Sequence, residues 1–171
     1  MVSRRQAREW AVMMLCECDQ NPPESLETAM AAFWTQLEGI ERDGVGSSEY
    51  GVKIVFGKTD AKHVSSLGDM KAFAEELIRG VLRNVEAIDA ELEPFLQHWS
   101  LYRLGVVERN VLRLGAWEIS RCDGIPPPIA INEAVDLAKF FSETQSGKFV
   151  NGVLDCYAKS FGKCKSAQER R

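Results

Sequence analysis

Apolar residues recur along most of this chain with the 3.6-residue period of an amphipathic helix. Ser3 and Gln6 read as a capping box ahead of the stripe Ala7, Ala11, Met14, Leu15 and Cys18. Asn21-Pro22-Pro23-Glu24 predicts the start of a second helix, with Asn21 as its cap and Leu26, Met30, Phe33 and Leu37 as its inner face. A long helix is expected from Asp69, on Ala74, Leu77, Ile78, Val81, Val85 and Ile88, and a short one through Leu92, Phe95 and Leu96. Residues 106–120 are apolar on much of their circumference, which predicts a buried central helix. After Asp123-Gly124 and the stiff Pro126-Pro127-Pro128, a helix is expected on Ile131, Ala134, Val135 and Ala138. A last helix carries Val150, Val153, Leu154, Tyr157 and Phe161, with Gly162 as its expected stop.

Residues 39–68 break the pattern. They hold six glycines and one β-like run at 52–56, so a mobile insertion with a short strand or hairpin is expected. The polar residues after Lys163 read as a disordered tail.

A chain of 171 residues can bury a core without disulfides or metals. No apolar run approaches the ~20 residues of a membrane span. The start is basic and then apolar, but Glu9 interrupts it and Glu17 and Asp19 follow, so it reads as a helix of the mature protein rather than a signal peptide. Cys16, Cys18, Cys122, Cys156 and Cys164 form no CxxC pair, and His63 and His98 are far apart, so free thiols in a reducing cytoplasm are expected and a zinc site is not.

The net charge of −4 is unevenly spread, with −7 over residues 1–100 and +3 over residues 101–171. Basic groups gather at both ends, in Arg4, Arg5 and Arg8 and in Lys159, Lys163, Lys165, Arg170 and Arg171. A local basic face on an acidic body can bind a polyanion, weakly and with strong salt dependence.

Catalytic patterns are missing. Gly57-Lys58-Thr59 invites comparison with a phosphate-binding loop, but the position five residues before Gly57 is Val52 and the intervening residues are bulky. Glu118 and Glu133 could form a carboxylate pair; the plainer reading has each half-buried and satisfied by a backbone N–H or by an arginine such as Arg109 or Arg113. The arginines at the start are, taken alone, as readily a solvated face as a binding site, with Arg5 able to pair with Glu9. More telling is the density of polar groups in residues 129–154. Asn132, Glu133, Lys148 and Asn151 stand among apolar positions, in a pattern an ordinary bundle does not need.

Five stretches together resemble the NusB family of bacterial transcription antitermination factors: RRQAREWAVMMLCECD, FAEELIRGVLRNVEAID, LGVVERNVLRLGAWEI, IPPPIAINEAVDLAKFF and KFVNGVLD. The resemblance covers most of residues 3–19 and 69–162. It implies an all-α fold of two helical subdomains, about seven helices in all, with no catalytic activity and no cofactor. Here that places an N-terminal subdomain over residues 1–98, a C-terminal one over 99–163 and a tail over 164–171. It further implies binding to boxA-like single-stranded RNA of ribosomal RNA leader transcripts, together with NusE, a small-subunit ribosomal protein, in a complex that helps RNA polymerase read through terminators. The family's RNA contacts come from the arginine-rich first helix, the turn before INEA and the start of the last helix. These map to Arg4, Arg5 and Arg8, then to Arg121, Asp123 and Gly124, then to Lys148 and Asn151. The NusE surface maps to Glu86, Glu91 and Glu93. Two other readings are a helical adaptor that binds only protein, and a domain like the one preceding the catalytic part of some ribosomal RNA cytosine methyltransferases. Whether the free protein forms a homodimer stays open. The glycine-rich segment is longer than the usual family linker, and the triple proline should make the turn stiffer than usual.

Overall fold

The computed structural model describes residues 3–43, 61–97 and 99–168, and among these every regular element is helical. The elements are α1 (Arg4–Gln20), α2 (Leu26–Asp43), α3 (Ala61–Arg83), α4 (Val85–Leu92), α5 (Val106–Arg121), α6 (Pro127–Phe141) and α7 (Thr144–Gln168). Two 3-10 turns, Glu93–Phe95 and Leu101–Arg103, lie between α4 and α5. No described helix is long and apolar enough to cross a membrane. The chain forms two compact units, Met1–Glu76 and Leu77–Arg171. The division falls inside α3, earlier than the 98/99 boundary placed by the resemblance, and α4 lies in the second unit with α5, to which a buried ion pair ties it.

In the first unit, Ser3 caps α1, its hydroxyl accepting from the Gln6 N–H at 3.3 Å. Asn21 does not cap α2, as the pattern suggested. Its N–H donates to the Glu17 carbonyl at 2.8 Å and closes α1. A residue before proline is steered away from helical backbone, so Asn21-Pro22-Pro23 ends one helix without beginning the next. Ser25 takes over the capping role, its hydroxyl accepting from the Thr28 N–H at 3.4 Å. Ala7, Ala11, Met14, Leu15 and Cys18 are all buried, as the stripe predicted. On α2 the buried aromatic is Trp34 rather than Phe33. Its ring meets Trp10 edge-on at 5.5 Å, and its indole N–H donates to Glu75 at 2.8 Å. An indole has a polar atom to satisfy, and Glu75 lets the larger ring go inward.

The helices extend further into the glycine-rich stretch than expected, α2 running to Asp43 and α3 starting at Ala61 instead of Asp69. The run at 52–56 and Gly57-Lys58-Thr59 lie outside the described residues, as does His98.

The helix expected to run through Ile88 breaks at Asn84. The Asn84 side-chain amide donates to the Gly80 carbonyl at 2.7 Å, and its own N–H reaches only Val81, at 3.1 Å. A short amide that bonds nearby backbone offers the chain an alternative to helix. In the second unit α5 is the central helix, buried without interruption from Asn110 to Ile119. Gly115 allows its neighbours close. A Cβ there would lie 2.5 Å from Leu154 Cδ1 of α7 and 3.3 Å from the Ala134 Cβ of α6. On α6 the fully buried residues are Ala130, Ala134, Leu137 and Ala138, while Ile131 and Val135 are half-buried. The last helix passes Gly162 and continues to Gln168, so residues 164–168 are helical rather than part of a tail. Lysine, alanine and glutamine there are good helix formers, and one glycine costs only about 1 kcal/mol.

Cys16 and Cys18 are buried, and burial, helped by the adjacent Glu17 charge, pushes the Cys18 thiol up to about 11. Cys156 is exposed. Native protein treated with iodoacetamide should therefore be alkylated at Cys156 while Cys16 and Cys18 stay unmodified until denaturant is added, as peptide mass spectrometry would show. Early labelling of Cys18 would mean that α1 opens in the native state.

Candidate nucleic-acid interface

Within the first unit, α1 presents its arginines unequally. Arg4 is exposed and Arg5 half-buried, but Arg8 is only 3 % exposed. The guanidinium groups of Arg4 and Arg8 both sit 5.4 Å from the centroid of the Phe73 ring of α3. Arg8 also donates to the Arg4 carbonyl at 3.4 Å. Of the three arginines that the resemblance assigns to RNA, Arg4 and Arg5 thus reach the surface and Arg8 does not. Arg8 is an internal group, because nearly every face of α1 is buried from Ala7 onward and a planar, weakly hydrated guanidinium tolerates stacking on an aromatic ring.

Within the second unit, Arg121 ends α5 and binds Glu91 through two parallel bonds, Nη2 to Oε1 at 2.7 Å and Nη1 to Oε2 at 3.1 Å. The Tyr157 hydroxyl donates to the same carboxylate at 2.7 Å. Two residues assigned from the sequence to separate surfaces, one for RNA and one for a protein partner, are thus partners of each other. The Arg121 hydrogen bonds hold the Glu91 carboxyl below the usual carboxylate range against the opposing effect of burial, with Tyr157 adding to them. Burial and the bond to Glu91 push the Tyr157 phenol up to about 12. A carboxyl with a depressed folded value stabilises the fold above its ordinary value of 4.5, and that contribution is lost as pH falls through the folded value. The Glu91→Gln variant should therefore show a flatter loss of melting temperature below pH 4.5 than the native protein. Equal slopes would mean that the pair contributes nothing.

Beyond Arg121, the Ile125 N–H donates to the Cys122 carbonyl at 3.3 Å, closing a tight turn with Asp123 and Gly124 exposed at its tip. The prolines then pass directly into helix, Pro126 capping α6. On α7, Lys148 and Asn151 are exposed and three residues apart, hence on one face, while Val150, Val153 and Leu154 turn inward. Asn132 is exposed and Glu133 half-buried on α6. On α4, Glu86 is exposed. Glu93, just beyond, is also exposed but accepts from the Leu101 N–H at 3.3 Å.

Three features escaped the sequence reading. The first is Glu108 in the first turn of α5, whose Oε1 accepts from Ser142 at 2.6 Å and from Ser146 at 2.7 Å. Burial opposes its charge, but those hydroxyls and its own backbone N–H leave the carboxyl below the usual range. The second is Lys139 of α6, exposed, with its stem laid over Gly147 immediately before Lys148. The third is a pair of exposed aromatics, Trp99 at 58 % and Tyr102 at 69 %, with the Arg109 guanidinium 5.9 Å from the Tyr102 ring. Glu108 had no signal, because its partners lie 34 and 38 residues away. The aromatics had one, since they fall between two helical patterns where a core position is least expected. Among the described residues no group of three or more metal-binding side chains gathers.

The NusB family model matches residues 5–159. The transcription antitermination protein NusB of Methylacidiphilum infernorum is 32% identical over 163 residues, 95% of each chain. Among solved structures, T. maritima NusB matches with a TM-score of 0.66 and 34% identity over 92% of both chains. A structure of antitermination factors NusB and NusE in complex with dsRNA matches with a TM-score of 0.64 and 29% identity, over 92% of this chain and 96% of that one.

Proposed function

Since the chain belongs to the NusB family, we propose that it is an RNA-binding transcription antitermination factor. It binds boxA-like single-stranded RNA of ribosomal RNA leader transcripts together with the ribosomal protein NusE, and within that complex it promotes read-through by RNA polymerase. The family match over residues 5–159 carries this reading. It is the role of a binding protein rather than a catalyst, exercised in the cytoplasm where transcripts are made.

The chemistry of the exposed groups supports it. Lys148 neutralises phosphate, and the Asn151 carboxamide offers both a donor and an acceptor to a base edge. Lys148 lies just past the first turn of α7, whose N-terminal dipole favours an anion, and Asn151 one turn further on. The exposed turn at Asp123 and Gly124 supplies backbone and a carboxylate acceptor, and Arg4 with Arg5 supplies guanidinium groups for phosphate. Arg8 and Arg121 are engaged within their own units, one against the Phe73 ring and the other with Glu91, and would act indirectly. For NusE, the exposed acidic groups Glu86 and Glu93 are joined as candidates by two exposed aromatics of the kind that anchors protein contacts, Trp99 and Tyr102. The Tyr102 hydroxyl donates to Asp89 at 3.5 Å, and Glu93 holds the Leu101 N–H, so Glu93 and Tyr102 belong to one local cluster.

The test is a fluorescence anisotropy titration of a short boxA-like RNA, with and without NusE. Binding that tightens with NusE and weakens steeply with salt is expected. Binding to NusE with no affinity for RNA at low salt would establish the adaptor reading instead.

A further inference from the structure

We propose that Glu108 is a positioning residue for the RNA contacts of α7, acting through Ser142 and Ser146; the inference rests on the RNA-binding reading above. Glu108 stands in the first turn of α5. One of its oxygens, Oε1, accepts from both serine hydroxyls, at 2.6 and 2.7 Å, and the two hydroxyls lie 3.1 Å apart. Ser142 ends α6, its N–H donating to the Ala138 carbonyl at 2.9 Å, and Ser146 lies in the first turn of α7. A single carboxylate oxygen therefore holds both sides of the break between α6 and α7. The other oxygen, Oε2, fills the space in front of Gly105, where any Cβ would collide with it.

Lys148 and Asn151 follow Ser146 by two and five residues. At about 100° per residue their side chains leave α7 roughly 200° and 140° around from the serine. They face away from Glu108, which acts on them only through the placement of the helix. The sign of the electrostatics makes the inference testable. A carboxylate near an RNA-binding face repels phosphate, so charge alone predicts that its removal tightens RNA binding. Positioning predicts the reverse.

The experiment measures the affinity of a short boxA-like single-stranded RNA for the full chain by anisotropy, beside affinity for NusE without RNA and a thermal melt. Glu108→Ala and Ser146→Ala should each weaken RNA binding about ten-fold, with the double variant no weaker than either. Glu108→Gln, which keeps an acceptor oxygen and loses the charge, should stay within about two-fold of native affinity. NusE affinity should be unchanged in all of them. Unchanged or tighter RNA binding by Glu108→Ala overturns the proposal, and so does an equal loss of NusE affinity. Should Glu108→Ala fail to fold, Ser146→Ala and Glu108→Gln decide on their own. Lys148→Glu separates the two readings. If it weakens RNA binding and the Glu108 and Ser146 variants do not, only this inference falls. If the native protein binds no RNA, both fall.

Discussion

Replacing Arg113 by alanine should destabilise the second unit by about 3–5 kcal/mol, the cost of leaving a buried charge without its partner. The Arg113 side chain is 5 % exposed and that of Asp89 12 %. Nε and Nη2 each donate to one Asp89 oxygen at 2.7 Å, and Nη1 donates to Asn110 at 3.3 Å. With the guanidinium gone, Asp89 keeps only the long bond from Tyr102 on a half-apolar face between α4 and α5. The buried carboxylate is then left without its charge partner, and α4 loosens from α5. Urea unfolding followed by circular dichroism measures the effect. Replacing both partners together, Asp89→Leu with Arg113→Met, should cost far less than Arg113→Ala, because no charge is then left buried. A loss under about 1 kcal/mol for Arg113→Ala would mean that water reaches the pair and screens it.

The second large effect is on RNA. Arg4→Glu combined with Lys148→Glu should lower affinity for a boxA-like RNA by about two orders of magnitude at low salt. The slope of log affinity against log salt should fall by about 0.7 for each phosphate that is no longer neutralised. Arg4 is the right arginine to reverse because it is exposed. Arg8→Glu would place a carboxylate in a buried site against the Phe73 ring and report on folding instead. Each single variant should show part of the slope change if one strand touches both units. A change confined to Lys148→Glu would remove α1 from the interface, and no change from either would end the RNA reading. Far-UV spectra and melts of the variants should match the native protein, since both side chains are exposed.

The helical class was legible because it depends on local periodicity. Ala7, Ala11, Met14, Leu15 and Cys18 fall on one face whatever the rest of the chain does, and all are buried. Boundaries were less legible where two local rules compete. Asn21 is as good a helix start as a helix end until Ser25 is seen to hold the Thr28 N–H. Asn84 looks like any polar residue in a helix until its amide is seen bonded to the Gly80 carbonyl. The candidate site was legible as a set of residue types. It was not legible as a set of free or engaged groups, because Arg4, Arg8 and Arg121 read alike in one dimension.

From the order of residues alone come the all-helical class, the buried central helix at 106–120 and the family to which the chain belongs, since these depend on neighbours within a turn or two and on motif spacing. Only the folded arrangement decides which charges remain available. Arg121 is consumed by Glu91 from 30 residues away, Arg113 by Asp89 from 24, and Glu108 by two serines beyond the end of α6. The physical reason is that an ion pair or a hydrogen bond depends on distance in space, and sequence separation leaves that distance undetermined until the helices pack.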